Sequence, residues 1–271
     1  MNKQDKEKIE YLDYTWNPVT GCMHSCKDQY CYAKKIAHRF GGADIDRLDD
    51  GSWERTDGGL YVVNAPLTRY IPQHGNRIKA PYPFGFTPTF HRYRLDEPQK
   101  IKRPSIIGVV YMGDLFGEWV PDSWIQEVFE ACERAPWHTY LFLTKNPKRY
   151  GELNGGKGVP DKPNFWFGST VTKEGDPFAC INTPRPHRSH YFVSIEPLLE
   201  TPKDLSTLAY ADLVIIGQQT NPNKPPNDED VQSIIDQCKK VNVPVFVKSP
   251  LYERYPIQEW PECMRRLKMN D

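Results

Sequence analysis

From about residue 105 to residue 248 the chain repeats one unit, a short β-rich apolar run followed by a stretch with helical spacing. Ser105–Tyr111 (SIIGVVY) predicts a buried strand and Asp122–Arg134 (DSWIQEVFEACER) a helix. Thr139–Thr144 (TYLFLT) predicts the next strand, with a short helix after Pro147. Asn164–Thr170 follows as a strand, then a brief helix near Pro177–Asn182, then strands at His190–Ile195 and Leu213–Gly217. A helix over Asp228–Lys240 and a strand at Val243–Lys248 close the series. Near-continuous apolar strands imply that both faces of the sheet are covered. Right-handed crossovers then build an α/β fold, a whole or partial (β/α) barrel in one domain over residues 1–271. Twenty-five prolines in 271 residues suit rigid loops around such a body better than a long helical bundle.

The first hundred residues are less regular. A strand near Tyr14–Val19 leads into a cysteine-bearing loop, and Tyr30–Phe40 has helical character. Residues 41–64 carry Gly41, Gly42, Gly51, Gly58 and Gly59 with an acidic run of Asp44, Asp46, Asp49 and Asp50. They read as a solvated excursion or hairpin, inserted over about 41–90. A calcium loop would need stricter alternation of oxygen ligands and a closing Glu, which is missing. Residues 66–103 are basic and aromatic, with Arg69, Arg77, Lys79, Arg92 and Arg94 among Tyr70, Tyr82, Phe84, Phe86 and Phe90. That pattern fits a grip on phosphates and bases. It equally fits a basic surface balanced by the acidic excursion, with the aromatics packed inside.

Charge and composition exclude several classes. Thirty-five Lys plus Arg balance thirty-five Asp plus Glu, so neither a basic nucleic-acid coat nor an acidic tail is present. No apolar run approaches the roughly 20 residues of a membrane helix. The opening MNKQDKEKIE has no apolar core, so no secretory signal is expected and a cytoplasmic location is.

Cysteine usage carries the chemistry. Of seven cysteines, Cys22, Cys26 and Cys31 fall within ten residues, while Cys132, Cys180, Cys238 and Cys263 are scattered. In a reducing compartment a tight triplet reads as thiolate ligands for a metal. A structural zinc would want a fourth ligand, which His24 or His38 could supply. An iron–sulfur cubane held by three thiolates instead leaves one iron open. Spacing alone leaves both readings standing. Cys132 and Cys238 lie in helical patterns and read as buried fillers. Polar residues also gather at predicted strand ends: Asp114, Lys145, Ser169, Glu196, Gln218, Gln219 and Lys248. In a barrel those ends form one mouth, a candidate site.

A run of motifs resembles a known family along nearly the whole chain, apart from residues 41–90. They are WNPVTGC…CYA (16–33), RLDEP (94–98), MGDLF (112–116), FLTKNPKR (142–149), SIEPLL (194–199), and VIIGQQ with DQCKKVNVPVFVK (214–248). The chain resembles a phage-associated family of unknown function with a three-cysteine motif, within the radical S-adenosylmethionine (SAM) group and distantly similar to spore photoproduct lyase. Radical SAM enzymes use C-x3-C-x2-C with an aromatic before the last cysteine. Here Tyr30 precedes Cys31, and the second gap is four residues.

The resemblance implies a 4Fe-4S cluster on Cys22, Cys26 and Cys31, and SAM as cofactor. Reductive cleavage of SAM would give a 5′-deoxyadenosyl radical that abstracts hydrogen from substrate. On this footing Asp114 would accept the SAM amine and Lys145 would meet its carboxylate. Tyr30 or Tyr32 would offer an aromatic edge to adenine, and Ser169 and Glu196 would take the ribose hydroxyls. A reductant protein of flavodoxin or ferredoxin type is expected, with a nucleic-acid base or nucleotide as substrate. The competing readings are a zinc-stabilised nucleic-acid-binding protein without catalysis, and an adaptor on a degenerate barrel.

Overall fold

In the computed structural model, residues 1–5, 8–26, 31–42, 44, 51–178, 187–220 and 222–268 are described. The N-terminal part runs β1 (Asn2–Lys3), β2 (Tyr14–Trp16), β3 (Val19–Thr20), helix α1 (Tyr32–Phe40), β4 (Trp53–Arg55) and β5 (Tyr61–Val63). The hairpin β6 (Thr68–Ile71) and β7 (Asn76–Lys79), strand β8 (Thr89–His91) and one-turn α2 (Glu97–Lys100) follow. The alternating part comprises β9 (Ile106–Val109), α3 (Asp122–Glu133), β10 (Thr139–Thr144), α4 (Arg149–Gly156), β11 (Phe165–Val171), β12 (His190–Ile195) and β13 (Leu213–Ile216). After the short pair β14 (Gln219–Thr220) and β15 (Asn223–Lys224) come α5 (Asp228–Lys240), β16 (Val245–Val247) and α6 (Glu262–Lys268).

The central sheet has eight strands in the order β1-β2-β9-β10-β11-β12-β13-β16. Every pairing in it is parallel except the β1–β2 edge. Period-2 alternation sorts each strand between two faces. Ile107, Val109, Tyr140, Phe142, Phe165 and Phe167 pack against Trp124, Ile125, Val128 and Phe129 of α3. Val193, Ile195, Val214 and Ile216 continue that helix face onto Val231, Ile234, Ile235 and Cys238 of α5. The apolar spacing of both helices thus matches the face they bury. The start of α5 is fixed by Asn227, whose side chain accepts from the Glu229 amide at 3.2 Å. Acidic Asp228–Asp230 and basic Lys239 and Lys240 complement its dipole.

On the inner face Ile106, Leu141, Trp166, Phe192, Ile215 and Phe246 are covered by Tyr11, Leu12 and Met264. Both faces are therefore buried, but the α3 and α5 crossovers cover only one of them. The sheet is open: among the described residues no strand pairing joins the β1 edge to the β16 edge. Side chains span that gap, since Glu10 accepts from the Ser249 amide at 2.6 Å and from Gln258 Nε2 at 2.9 Å. The architecture is a mixed α/β fold around a mainly parallel sheet, in place of the whole barrel that was one of the two forms expected.

Three local expectations need correction. The strand expected over 14–19 breaks after Trp16, because Val19 and Thr20 pair with β8 in a separate four-stranded sheet, β3-β8-β5-β4. The hairpin that was one of two forms expected over 41–64 is present as β4 and β5, which join that sheet. Helix α4 is broken at Leu153–Gly155, where φ/ψ leaves the helical region. The brief helix expected near 177–182 is not helical at Pro177 and Phe178, and its remainder lies outside the described residues.

Candidate functional site

The cysteine loop is seated on the sheet by two glycines. Gly21 has φ +86, and a Cβ there would overlap the Phe86 and Thr87 backbone. It bridges to Gly113, and its amide donates to Met112 O at 2.9 Å. Only glycine permits this left-handed, close approach. The next amide, that of Cys22, donates to Phe86 O at 3.2 Å. The loop that begins at Cys22 therefore starts beside the chain that leaves β9.

Asp114 ties this junction to the next strand. It is 4% exposed, and both carboxylate oxygens are fully engaged. Oδ1 accepts from Thr144 Oγ1 at 2.7 Å and the Phe116 amide at 3.0 Å. Oδ2 accepts from the Lys145 amide at 3.0 Å and meets His24 Nε2 at 2.7 Å. Thr144 is the last residue of β10, so Asp114 and the cysteine loop lie at the C-terminal ends of the parallel strands. With its lone pairs filled, Asp114 has no capacity left for a SAM amine. Its contacts join the cysteine loop, the Phe116 turn and the end of β10.

His24 is likewise committed. Its ring bonds Asp114 and meets Trp119 edge-on at 4.9 Å, while its amide approaches Cys22 Sγ at 3.4 Å. His38 lies exposed in the last turn of α1. Among the described residues no three His, Cys, Asp or Glu side chains are gathered closely enough to hold one metal ion. A single zinc with bonds of about 2.3 Å would draw its sulfurs to about 4 Å from one another.

The three thiols nonetheless act on one another. Burial pushes the Cys22 thiol up to about 12, with Asp114, Cys26 and Cys31 adding and the His24 amide opposing. Burial also raises Cys26, against the lowering pull of the Lys145 ammonium and with a contribution from Cys31. Lys145 makes no ion pair to a carboxylate among the described residues. Cys31 is the residue preceding α1, so the positive end of that helix dipole lies at it. The Lys145 ammonium offsets part of the burial at Cys26, yet Cys22 and Cys26 are both held above the ordinary thiol value, so a bound metal would have to displace their protons.

The other expected residues fall in different places. Tyr30 lies outside the described residues. Tyr32 is half exposed, but its hydroxyl donates to Tyr111 O at 2.6 Å. Burial, then Glu196 and Tyr111, raise its pKa above the usual phenol range. Ser169 is fully buried, and strand alternation puts it on the helix face with Phe165 and Phe167. That parity turns it away from Glu196, so the two do not share a ribose site; period-2 geometry is the reason. Glu196 follows β12 on the inner face and pairs with Lys248, the residue after β16. Tyr11 is buried and Tyr111 half-buried beside them, and Glu196 helps raise both after desolvation itself. Gln218 bonds Asn223, and Gln219 bonds the Pro222 carbonyl, within the β14–β15 turn. Sequence spacing carried no signal for Thr144 or Tyr11.

The basic-aromatic segment is largely absorbed by the fold. Phe90 is in the core, Phe84 stacks on Tyr61 with ring centroids 3.7 Å apart, and Arg94 holds the carbonyls of Asn17 and Pro81. On the exposed hairpin, Arg77 pairs with Asp44 at 3.0 Å. No helix among the described residues is long and apolar enough to cross a membrane.

A family model described as a protein of unknown function (DUF5131) matches residues 6–252. No curated protein matches the sequence. Among solved structures, the chain is similar to a spore photoproduct lyase complexed with dinucleoside spore photoproduct. The two are 9% identical with a TM-score of 0.44, over 94% of this chain and 77% of that one.

Proposed function

The chain belongs to the DUF5131 family of proteins of unknown function, so its own residues must carry a functional reading, and we propose that it is a radical SAM enzyme acting on a nucleic-acid base or nucleotide. The observation that carries this is the seating of the cysteine loop at the C-terminal ends of the parallel strands, where Gly21 bridges to Gly113 and Asp114 bonds both His24 and the Lys145 amide. These cysteines would hold a 4Fe-4S cluster, which when bound supplies the electron that cleaves SAM reductively. Lys145, with no carboxylate partner among the described residues, is the cation for the SAM carboxylate. Asp114 holds the Lys145 backbone and His24 in place and binds nothing itself. Tyr32 borders the cysteines and presents an aromatic ring to the same space. Buried Tyr11 and half-buried Tyr111 help keep water from the reacting atoms. The reading requires an external one-electron donor of flavodoxin or ferredoxin type. A zinc-stabilised binding protein is the second reading, since the Asp114 contact to His24 Nε2 leaves Nδ1 as a fourth donor beside the three thiols.

The test is anaerobic reconstitution with iron and sulfide, followed by dithionite, SAM and chromatography for 5′-deoxyadenosine. About four irons per chain and product formation abolished in Cys26→Ala are expected. Tightly bound zinc with no cleavage of SAM would overturn the proposal.

A further inference from the structure

Across the sheet ends from the cysteine loop lies an ion pair that the cofactor does not require. Lys248 Nζ contacts Glu196 Oε1 and stands 5.7 Å over the Tyr11 ring. The Lys248 side chain is 11% exposed and that of Glu196 29%, so the pair is largely buried yet reachable through the carboxylate. Gly217 makes room for it, since a Cβ there would come within 3.1 Å of Glu196 Cγ. Two residues before Glu196 on the same inner face, Ser194 is 1% exposed and its hydroxyl has no partner among the described residues.

Removing two charges from water is costly unless their remaining valences are used. Here they are not all used. An ammonium has three N–H donors, and among the described residues only the contact to Glu196 takes one. Glu196 Oε2 accepts no hydrogen bond among the described residues. A free acceptor thus sits beside a free donor, with a spare hydroxyl beneath. Such a pair complements a ligand edge that carries N–H next to C=O.

We propose that Glu196 and Lys248 read the lactam or imide edge of a nucleobase (uracil, thymine, guanine or hypoxanthine), Glu196 accepting from its N–H and Lys248 donating to its carbonyl. This names the substrate class for the site and rests on the nucleic-acid reading above. Adenine and cytosine present a different donor and acceptor order on the corresponding edge and are rejected. A bidentate contact of this type discriminates by about tenfold to a hundredfold.

The experiment needs no cluster. Fluorescence anisotropy would compare short labelled single strands of deoxyuridine, N3-methyldeoxyuridine and deoxyadenosine on the full chain. Deoxyuridine should bind about tenfold or more tightly than the other two, and Lys248→Met should erase the difference. Because Lys248→Met leaves Glu196 unpaired, the exchanged double variant Glu196→Lys with Lys248→Glu serves as a second check. It restores an ion pair and should still lose the preference for deoxyuridine. Equal binding of methylated and unmethylated strands, or binding of none, overturns the proposal. So does a preference that survives both variants. Base-selective binding without 5′-deoxyadenosine formation would defeat the radical reading and leave the edge reader standing. Cleavage of SAM without base discrimination would do the reverse.

Discussion

Asp114 shows how one carboxylate can organise a site without touching its ligands. Four groups from three chain segments converge on it, two of them backbone amides that have no other partner shown. Each buried donor left unsatisfied costs about 1–3 kcal/mol. Asp114→Ala should therefore lose about 2–4 kcal/mol of stability, and Asp114→Asn less, since its amide oxygen still accepts from Thr144 and Phe116. Urea unfolding with an unchanged denaturant slope would measure this. Iron uptake should fall in parallel, because His24 and the Lys145 backbone lose their anchor. The residue is visible in the sequence as a polar strand end. Its role is not, because the four donors come from positions 24, 116, 144 and 145.

At the scale of elements, the small sheet hangs on a buried histidine. His91 in β8 is fully buried and shares a 2.8 Å hydrogen bond with Thr20 of β3, while its amide donates to Pro18 O at 2.6 Å. Burial, reinforced by the Arg94 charge, holds its pKa well below the ordinary 6.5. The unfolded chain binds this proton below pH 6.5 and the folded chain does not, so stability is lost as pH falls from 6.5. The slope for one such group reaches about 1.4 kcal/mol per pH unit. His138, lowered mainly by its own burial, adds in the same direction. Unfolding followed between pH 7 and pH 5 should show this loss, and His91→Gln should reduce the slope. A slope unchanged in that variant would mean His91 titrates normally. The strand β8 that carries His91 reads from sequence as part of a basic-aromatic segment. Its partners β3 and β5 are short and far apart in the chain, and nothing in their spacing announces the sheet.

For the whole molecule, the question is how an open sheet keeps a closed inner face. Tyr11 and Leu12 from the N-terminal segment and Met264 from α6 fill it. Glu10 links the segment to the far edge through Ser249 and Gln258. Glu10→Ala should cost about 1 kcal/mol globally, because both bonds are solvent-facing. Its larger effect should be local, as faster amide exchange at Ser249 and at Val247, whose neighbourhood Gln258 braces. Uniform exchange across the sheet would show that the Glu10 link is dispensable. The same closure sets Lys248 against Tyr11 and Glu196, so loosening it should also weaken any ligand held there.

The alternation of apolar runs and helical stretches determined by itself the parallel sheet and the strands β9 to β13, and it fixed the faces that α3 and α5 bury. That follows because periodicity is local and each strand must hide both of its faces. Only the tertiary structure decided that the sheet stays open, that Asp114 is saturated, that Ser169 turns to the helix face and that Glu196 meets Lys248. Each of these depends on register or on contacts between distant segments. A one-residue change of parity or a different edge would reverse them without altering any local pattern.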